Sequence, residues 1–347
     1  MLDIKRTIME LADTPGVSGQ EYAVSQLAAT LLAPFVDYIE TDDYGNVSGF
    51  KSCGRPNAPT LLLDAHLDQI GFMVSEITPE GFLRFSVVGG LDQRVLLDCD
   101  VTVITKKHGA IPGVIASIPP HLLKVMDGSR ATPIEEMVID VGFDFQQASE
   151  IICPGDFVTL AGKAFEMPGN TICGKAMDDR ACFACILYAL DLLRDKPIPC
   201  DLIITGTMKE EIGFHGAAVI GSRKPVDLAI AIDVCHAKTK DTTIMDNVYA
   251  YNGGPVVAMG SNNHPATARR LMDTAKRNGI PCQPSAMPAF TGTNAWKLQV
   301  MGNGMRTANI ALPLKYMHTA VEMISLDDAR YVAQLISAFV MEYDKGS

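Results

Sequence analysis

Three short runs in this chain place apolar residues at consecutive positions rather than alternate ones: TLLLDA (60–65), LIITGTM (202–208) and DLAIAID (227–233). A strand with one face in water alternates apolar and polar residues, so runs without alternation suit strands buried on both faces. Such strands belong to a mostly parallel sheet covered by helices on either side. Helical periods lie between and after them, over Asp178 to Leu193, over Thr267 to Arg277, and from a Ser325 cap to about Tyr343. The pattern predicts an α/β fold. At the N-terminus, MLDIKRTIMELAD reads as an amphipathic helix, and Ser18-Gly19-Gln20-Glu21 has the form of a capping box opening a second helix to about Leu32.

Between Gln69 and Lys163 the texture changes. FLRFSVV (82–88), VTVIT (101–105), MVIDVGF (137–143) and DFVTLAG (156–162) are separated by Gly, Pro and Asp, and no long helical pattern intervenes. We therefore expect a small β-rich domain over 70–163, inserted into an α/β domain formed by 1–69 and 164–347. A chain of 347 residues is long enough for two domains.

Charge and composition exclude several roles. The 29 basic and 40 acidic residues leave a net charge of −11, which disfavours nucleic acid or an anionic membrane as the main partner. No apolar run reaches the roughly eighteen residues of a transmembrane helix, and the N-terminus lacks the apolar core of a signal peptide. The nine cysteines are scattered and odd in number, which suits reduced thiols and a cytoplasmic location. Cys182 and Cys185 sit three apart in a helical segment without a second pair, so core packing is the expected role rather than zinc or redox chemistry.

Potential metal ligands cluster at the ends of the strand-like runs. His66 and Asp68 follow TLLLDA, Asp178 and Asp179 open AMDDRA, Glu210 and Glu211 follow LIITGTMK, Asp233 ends DLAIAID, and His318 lies in LPLKYMHTA. Ligands of open α/β sheets collect outside the carboxyl ends of the strands, where residues distant in sequence converge. Two divalent cations roughly 3.5–4 Å apart need a group that bridges both, which a carboxylate can do and an imidazole cannot. A His-plus-carboxylate set on each cation with Asp178 shared meets that need. Glu210, beside a ligand, is the natural general base, and Asp68 is placed to orient the His66 ring.

TPGVSGQE (14–21), DDYGNVSG (42–49), DAHLDQIGFMV (64–74), GDFV (155–158), GKAMDDRA (174–181), KEEIGFHGA (209–217), AIDV (231–234) and PLKYMHTAVE (313–322) span nearly the whole chain. Together they resemble the M42 family of metallo-aminopeptidases, the glutamyl and tetrahedral aminopeptidase group within the zinc-exopeptidase fold. The resemblance implies an aminopeptidase cutting residues from peptide N-termini with two divalent cations, zinc or cobalt, with manganese also suitable. It implies that His66, Asp178 and Asp233 hold one cation and that Asp178, Glu211 and His318 hold the other, with Glu210 as base and Asp68 orienting. It further implies that the inserted domain, PDZ-like or barrel-like, mediates dimerisation. Homo-oligomers follow, as dimers commonly built into a twelve-subunit shell.

Because the insertion supplies no candidate ligand, it is expected to lie away from the cations and to bury an apolar face against another copy. The chain departs from the family's common pattern at Lys209, Ala181, Asn294 and Lys315; Asn294 and Lys315 are expected to bear on side-chain preference and substrate clamping. His215 follows the glutamate pair and is a candidate substrate contact or a loop hydrogen-bonding residue, whereas His108, His121, His236 and His264 are expected to face solvent or be structural. Two alternative activities are a metal-dependent deacylase of small N-acyl substrates and a glycoside hydrolase. A glycosidase needs two carboxyl groups about 5–9.5 Å apart across a sugar, and adjacent Glu210 and Glu211 would point apart. A metal-binding scaffold without activity is the third class, against which the intact Glu210 argues.

Overall fold

The structure, a computed structural model, describes residues 1–117, 131–223, 225–240, 242 and 247–343. Four parallel strands occupy the middle of a large sheet, in the spatial order Asp201–Thr207, Thr60–His66, Leu228–His236 and Thr307–Lys315. Val47–Lys51 and then Tyr38–Thr41 continue one side of this eleven-stranded sheet antiparallel. Glu322–Ser325, Thr171–Gly174 and Phe165–Met167 continue the other, and Val256–Met259 branches from Thr307–Lys315 to carry Gln283–Ala286.

The consecutive apolar residues are explained by packing on both faces. Leu61, Leu63, Leu202, Ile204, Ile230 and Ile232 enter the larger hydrophobic cluster on one face. Leu62, Ile203 and Ala229 enter a smaller cluster on the other, which also takes in residues of His215–Arg223 and Ala295–Leu298. The helix Met177–Leu192 is buried almost all round and packs against Ile4–Asp13 and Leu326–Glu342. Cys182 and Cys185 are fully buried within it, and no cysteine of the chain is paired. No described helix is long and apolar enough to cross a membrane.

A second sheet of five antiparallel strands has the order Leu83–Val88, Gly71–Ile77, Phe157–Leu160, Cys99–Thr105 and Gly109–Ile115. It has its own hydrophobic cluster, with Phe72, Phe85, Val101, Val103 and Val158 at its centre. The run MVIDVGF makes isolated bridges through Ile139 and Asp140 rather than a ladder. A short helix, Phe145–Ile151, follows it, closed by a capping box between Asp144 and Gln147.

Two expected caps end differently. Ser325 caps the last helix, its hydroxyl accepting from the N–H groups of Asp327 and Asp328 at 3.2 and 3.3 Å. The Ser18–Glu21 capping box does not form: the helix starts at Tyr22, and Glu21 accepts from the Gly19 N–H at 2.8 Å. The Ser18 hydroxyl instead donates to the buried Asp68 carboxylate at 2.5 Å. A charged acceptor in the interior is a stronger partner than a solvated helix end, so the tertiary contact wins.

Candidate metal centre

Parallel pairing aligns His66 with Thr207, and Asp233 with Ala311, at one end of the large sheet. Glu210 comes three residues after Asp201–Thr207, with Glu211 next to it, and His318 comes three residues after Thr307–Lys315. Asp178 and Asp179 open the central helix with non-helical backbone angles, which turns their side chains out of the helical path. The topology thus gathers four strand ends and one helix start at a single crevice.

The ligand atoms of His66, Asp178 and Asp233 lie within 4.8 Å of one another, and so do those of Asp178, Glu211 and His318. Asp178 is common to both groups. One of its oxygens is 3.0 Å from His66 Nε2 and the other 3.3 Å from His318 Nε2, so each oxygen faces one imidazole. His318 Nε2 is also 3.2 Å from Glu211 Oε1. Glu210 Oε2 stands 4.0 Å from His66 Nε2 and belongs to neither group. Asp179 is fully buried and accepts from the main-chain N–H of His66 at 3.2 Å.

Asp68 organises the cluster from behind. His66 Nδ1 lies 3.2 Å from the Asp68 carbonyl oxygen and 3.5 Å from its carboxylate, which leaves Nε2 facing the crevice. The same carboxylate accepts the N–H groups of Glu210 and Glu211 at 3.0 and 3.2 Å. One buried group therefore holds both glutamates as well as the ring.

The electrostatics show what the donor set requires. Burial pushes the Asp233 carboxyl up to about 8 and raises those of Glu210 and Glu211. Burial opposes charge on Asp178 too, but hydrogen bonds from His318 and His66 hold it below the usual carboxylate range. Burial disfavours a charged His318, yet Asp178 and Glu211 raise it to about 11. Packed carboxylates and imidazoles of this kind call for positive charge between them. Oxygen and imidazole donors in two sets of three, sharing a carboxylate that faces both ways, fit a pair of borderline to hard divalent cations.

Three further residues support the site, Glu322 and Arg180 without an expected role and Ser18 with a different one. Glu322, 1% exposed, accepts the N–H groups of Met177 and Asp178 on one oxygen and of His318 on the other, at 2.7, 3.2 and 2.8 Å. The Arg180 guanidinium is fully buried and donates to the carbonyls of Leu67, Leu11, Thr14 and Gly16, tying the loop after His66 to the first helix. Ser18 holds Asp68. No local spacing reveals these roles, because the partners that matter lie far along the chain: Met177 and Asp178 for Glu322, Leu11 and Leu67 for Arg180, and the Asp68 carboxylate for Ser18.

Other expectations need correction. Residues 70–163 do not all lie away from the cluster: a methyl group on Gly90 would lie 3.4 Å from His318 Nδ1, and one on Gly89 would lie 3.4 Å from Glu211 Cβ. Their lack of side chains lets the turn after Leu83–Val88 approach the crevice. His215 is exposed and lies outside the lining of the cavity beside the cluster; His236 is exposed, as expected, and also borders that cavity; His121 lies outside the described residues. Asn294 is buried beneath the site, donating to Asp64 at 2.8 Å and Thr207 at 2.7 Å. The ammonium groups of Lys209 and Lys315 lie over the rings of Tyr44 and Tyr251, at 3.9 and 4.0 Å. None of these three residues lines the cavity beside the cluster.

That cavity, of about 580 Å³, opens beside the cluster and is bounded by His66, Asp178, Glu210, Glu211, Asp233 and His318 on one side. A mixed α/β frame with a carboxylate–imidazole crevice at its strand ends defines a metal-dependent hydrolase class, and comparison with known proteins narrows it. The family profile described as M42 glutamyl aminopeptidase matches residues 45–335, and the chain belongs to that family of aminopeptidases. A lysyl aminopeptidase of Pyrococcus furiosus is 30% identical over 338 residues, covering 96% of this chain and 95% of the relative. The structure of an aminopeptidase from the archaeon Desulfurococcus kamchatkensis superposes with a TM-score of 0.92 at 29% identity, over 99% of this chain and 96% of that one. A Pyrococcus horikoshii TET1 peptidase, described as assembling into a tetrahedron or a large octahedral shell, matches with a TM-score of 0.85 at 28% identity, covering 98% and 100%.

Proposed function

We propose that this chain is a dinuclear metal-dependent aminopeptidase that releases N-terminal residues from peptides. The carrying observation is Asp178, whose two oxygens face two imidazoles from within two three-ligand groups. His66, Asp178 and Asp233 would hold one divalent cation, and Asp178, Glu211 and His318 the other, with zinc, cobalt or manganese suiting this donor set. Such a pair supplies Lewis acidity to the scissile carbonyl and lowers the pKa of water toward neutrality.

The protein's own groups do the rest. Glu210 is free of both ligand sets and lines the cavity, so it can take a proton from water and return it to the leaving amine. Asp68 keeps His66 Nε2 toward the crevice and fixes the Glu210–Glu211 backbone. The crowded carboxylates favour a cationic α-amino group beside the scissile bond, which makes an exopeptidase rather than a deacylase. Residues 70–163 would form an inserted unit that pairs copies of the chain: its Val95, Val114 and Phe145 are exposed apolar side chains. The unpaired cysteines support a cytoplasmic setting.

The test is a panel of aminoacyl chromogenic amides with chelation and metal add-back. Activity should vanish on chelation and return with Zn²⁺, Co²⁺ or Mn²⁺. N-acetylation of the substrate should lower kcat/KM by at least about tenfold through loss of a charge-assisted contact. Full turnover of thoroughly metal-free protein, or faster cleavage of acetylated substrate, would defeat the reading. A glycoside hydrolase finds no support in the site, whose carboxylates share imidazoles in one cluster instead of facing each other across a sugar.

A further inference from the structure

The cavity extends well beyond the cluster, and its far end has a distinct chemistry. Its apolar walls include Val256, Ala258, Met287, Ala311 and Met317. Beyond the cluster itself, the described lining residues include no Asp, Glu, Lys or Arg. Depth can be read from strand register. Ala311 is paired with Asp233 and Asn309 with Ala231, two residues further from the strand ends. Asn309 and Ala311 share a face of their strand, so Asn309 lies about 7 Å deeper, past a residue of minimal side chain.

Asn309 is 3% exposed and its Oδ1 has no hydrogen-bond partner among the described residues. Its amide nitrogen is engaged by a hydroxyl that ends a short chain of polar side chains. Gln299 donates to Asn262 Oδ1, and Asn262 Nδ2 donates to Thr291 Oγ1 at 2.7 Å. Thr291 Oγ1 lies 3.1 Å from Thr293 Oγ1, which accepts from Asn309 Nδ2 at 2.7 Å. With the amide nitrogen engaged, an acceptor oxygen is left for the cavity. With Thr291 donating to Thr293, the Thr293 hydroxyl keeps its own proton to give, and Thr293 lines the same cavity. A buried acceptor left unmatched is costly, so a ligand that supplies the donor is favoured over one that does not.

We propose that this cavity receives the side chain of the residue being released, and that Asn309 selects uncharged side chains, with a carboxamide the preferred polar tip. The inference rests on the aminopeptidase reading. A carboxamide donates to Asn309 Oδ1 and accepts from Thr293. A carboxylate brings only acceptors to an acceptor and finds no cationic side chain among the described lining residues at that depth. An ammonium meets a neutral oxygen with no carboxylate at that depth, and a buried charge needs a counter-charge. Leucyl and methionyl side chains suit the walls but leave Asn309 Oδ1 unmatched.

The experiment compares glutaminyl, glutamyl, lysyl and alanyl chromogenic amides on metal-replete protein, together with calorimetric binding of free glutamine, glutamate and lysine. Glutaminyl should exceed glutamyl and lysyl at least tenfold in kcat/KM, and glutamine should bind at least tenfold more tightly than glutamate or lysine. Asn309→Asp should lower the glutaminyl-to-lysyl ratio at least tenfold by placing a counter-charge at the floor. Ala311→Leu, which narrows the passage to that floor, should lower the glutaminyl-to-alanyl ratio at least tenfold and serves if the first variant does not fold. Glutamyl or lysyl equal to glutaminyl, or ratios unmoved by both variants, would overturn the subsite. Absence of turnover with every amide, alongside selective glutamine binding, would leave the subsite standing and defeat the aminopeptidase reading; absence of both would defeat the subsite as well.

Discussion

His66 and His318 face Asp178 from two sides at similar distances, 3.0 and 3.3 Å, but are held by different means. His66 ends a central strand, its side chain is 2% exposed, and its other ring nitrogen rests against Asp68. The direction of its side chain is set by sheet register and packing. His318 lies in a loop at a positive φ of 61°, its side chain is 31% exposed, and its N–H is tied to Glu322. A non-glycine residue in that backbone region is uncommon and needs its surroundings to hold it there. One half of the cluster is thus made by secondary structure and the other by a loop fastened to a buried carboxylate. The His66 half should bind its cation more tightly than the His318 half.

Glu210 gives the largest expected effect and tests where the boundary between the halves runs. Glu210→Gln should lower kcat by about 10²- to 10⁴-fold while elemental analysis still finds both cations bound. Loss of one metal equivalent would make Glu210 a ligand, and the two groups would have to be redrawn.

Glu322→Gln tests the asymmetry itself. Both carboxylate oxygens accept main-chain N–H groups, so an amide must turn its own N–H toward one of them. Calorimetric titration of metal into metal-free variant should show the weaker site loosened at least about tenfold, roughly 1.4 kcal/mol. The tighter site should change less. Equal weakening of both would mean that Glu322 serves the whole cluster through Asp178.

An effect on stability alone, with no direct bearing on turnover, concerns the packing behind the His66 half. Lys175 is buried there, donating to the Ala12 carbonyl at 2.8 Å and lying 3.4 Å from Gln69 Oε1. Burial pushes its ammonium down to about 7 from the ordinary lysine value of 10.5. Through that window the unfolded chain holds a proton that the folded chain has released, so this group makes stability rise with pH, and its penalty is fully present below about pH 7. Denaturant unfolding of metal-free protein should show Lys175→Met most favourable relative to the parent near pH 7, with the advantage shrinking toward about pH 9.5. A pH-independent difference would mean that the ammonium is solvated and that this half is less rigid than its burial suggests.

The buried strands were legible because a run such as TLLLDA has no polar alternation to offer a solvated face. The last helix was legible through Ser325, whose capping partners are two and three residues away. The second sheet was only partly legible. Gly71–Ile77 and Gly109–Ile115 contain Gly, Ser and Pro that hide the strand period, while MVIDVGF has the composition of a strand but makes only bridges. Ser18 misled for a related reason: its local pattern offers a cap, and the competing acceptor, Asp68, is fifty residues away.

By itself the sequence determined the inventory: parallel strands buried on both faces, and histidines and carboxylates stationed where such strands end. Those properties are set by residue type and spacing of a few positions, which a chain carries before it folds. Tertiary structure alone decided that each Asp178 oxygen faces a different imidazole, that Glu322 and Arg180 bind main-chain groups from distant segments, and that Gly89 and Gly90 let the turn after Leu83–Val88 approach the crevice. It also decided that Asn309 is left with an open acceptor at the cavity floor. The reason is physical: hydrogen bonds and close approaches depend on which groups meet within about 3 Å, and that meeting is a property of the packed chain rather than of any stretch of it.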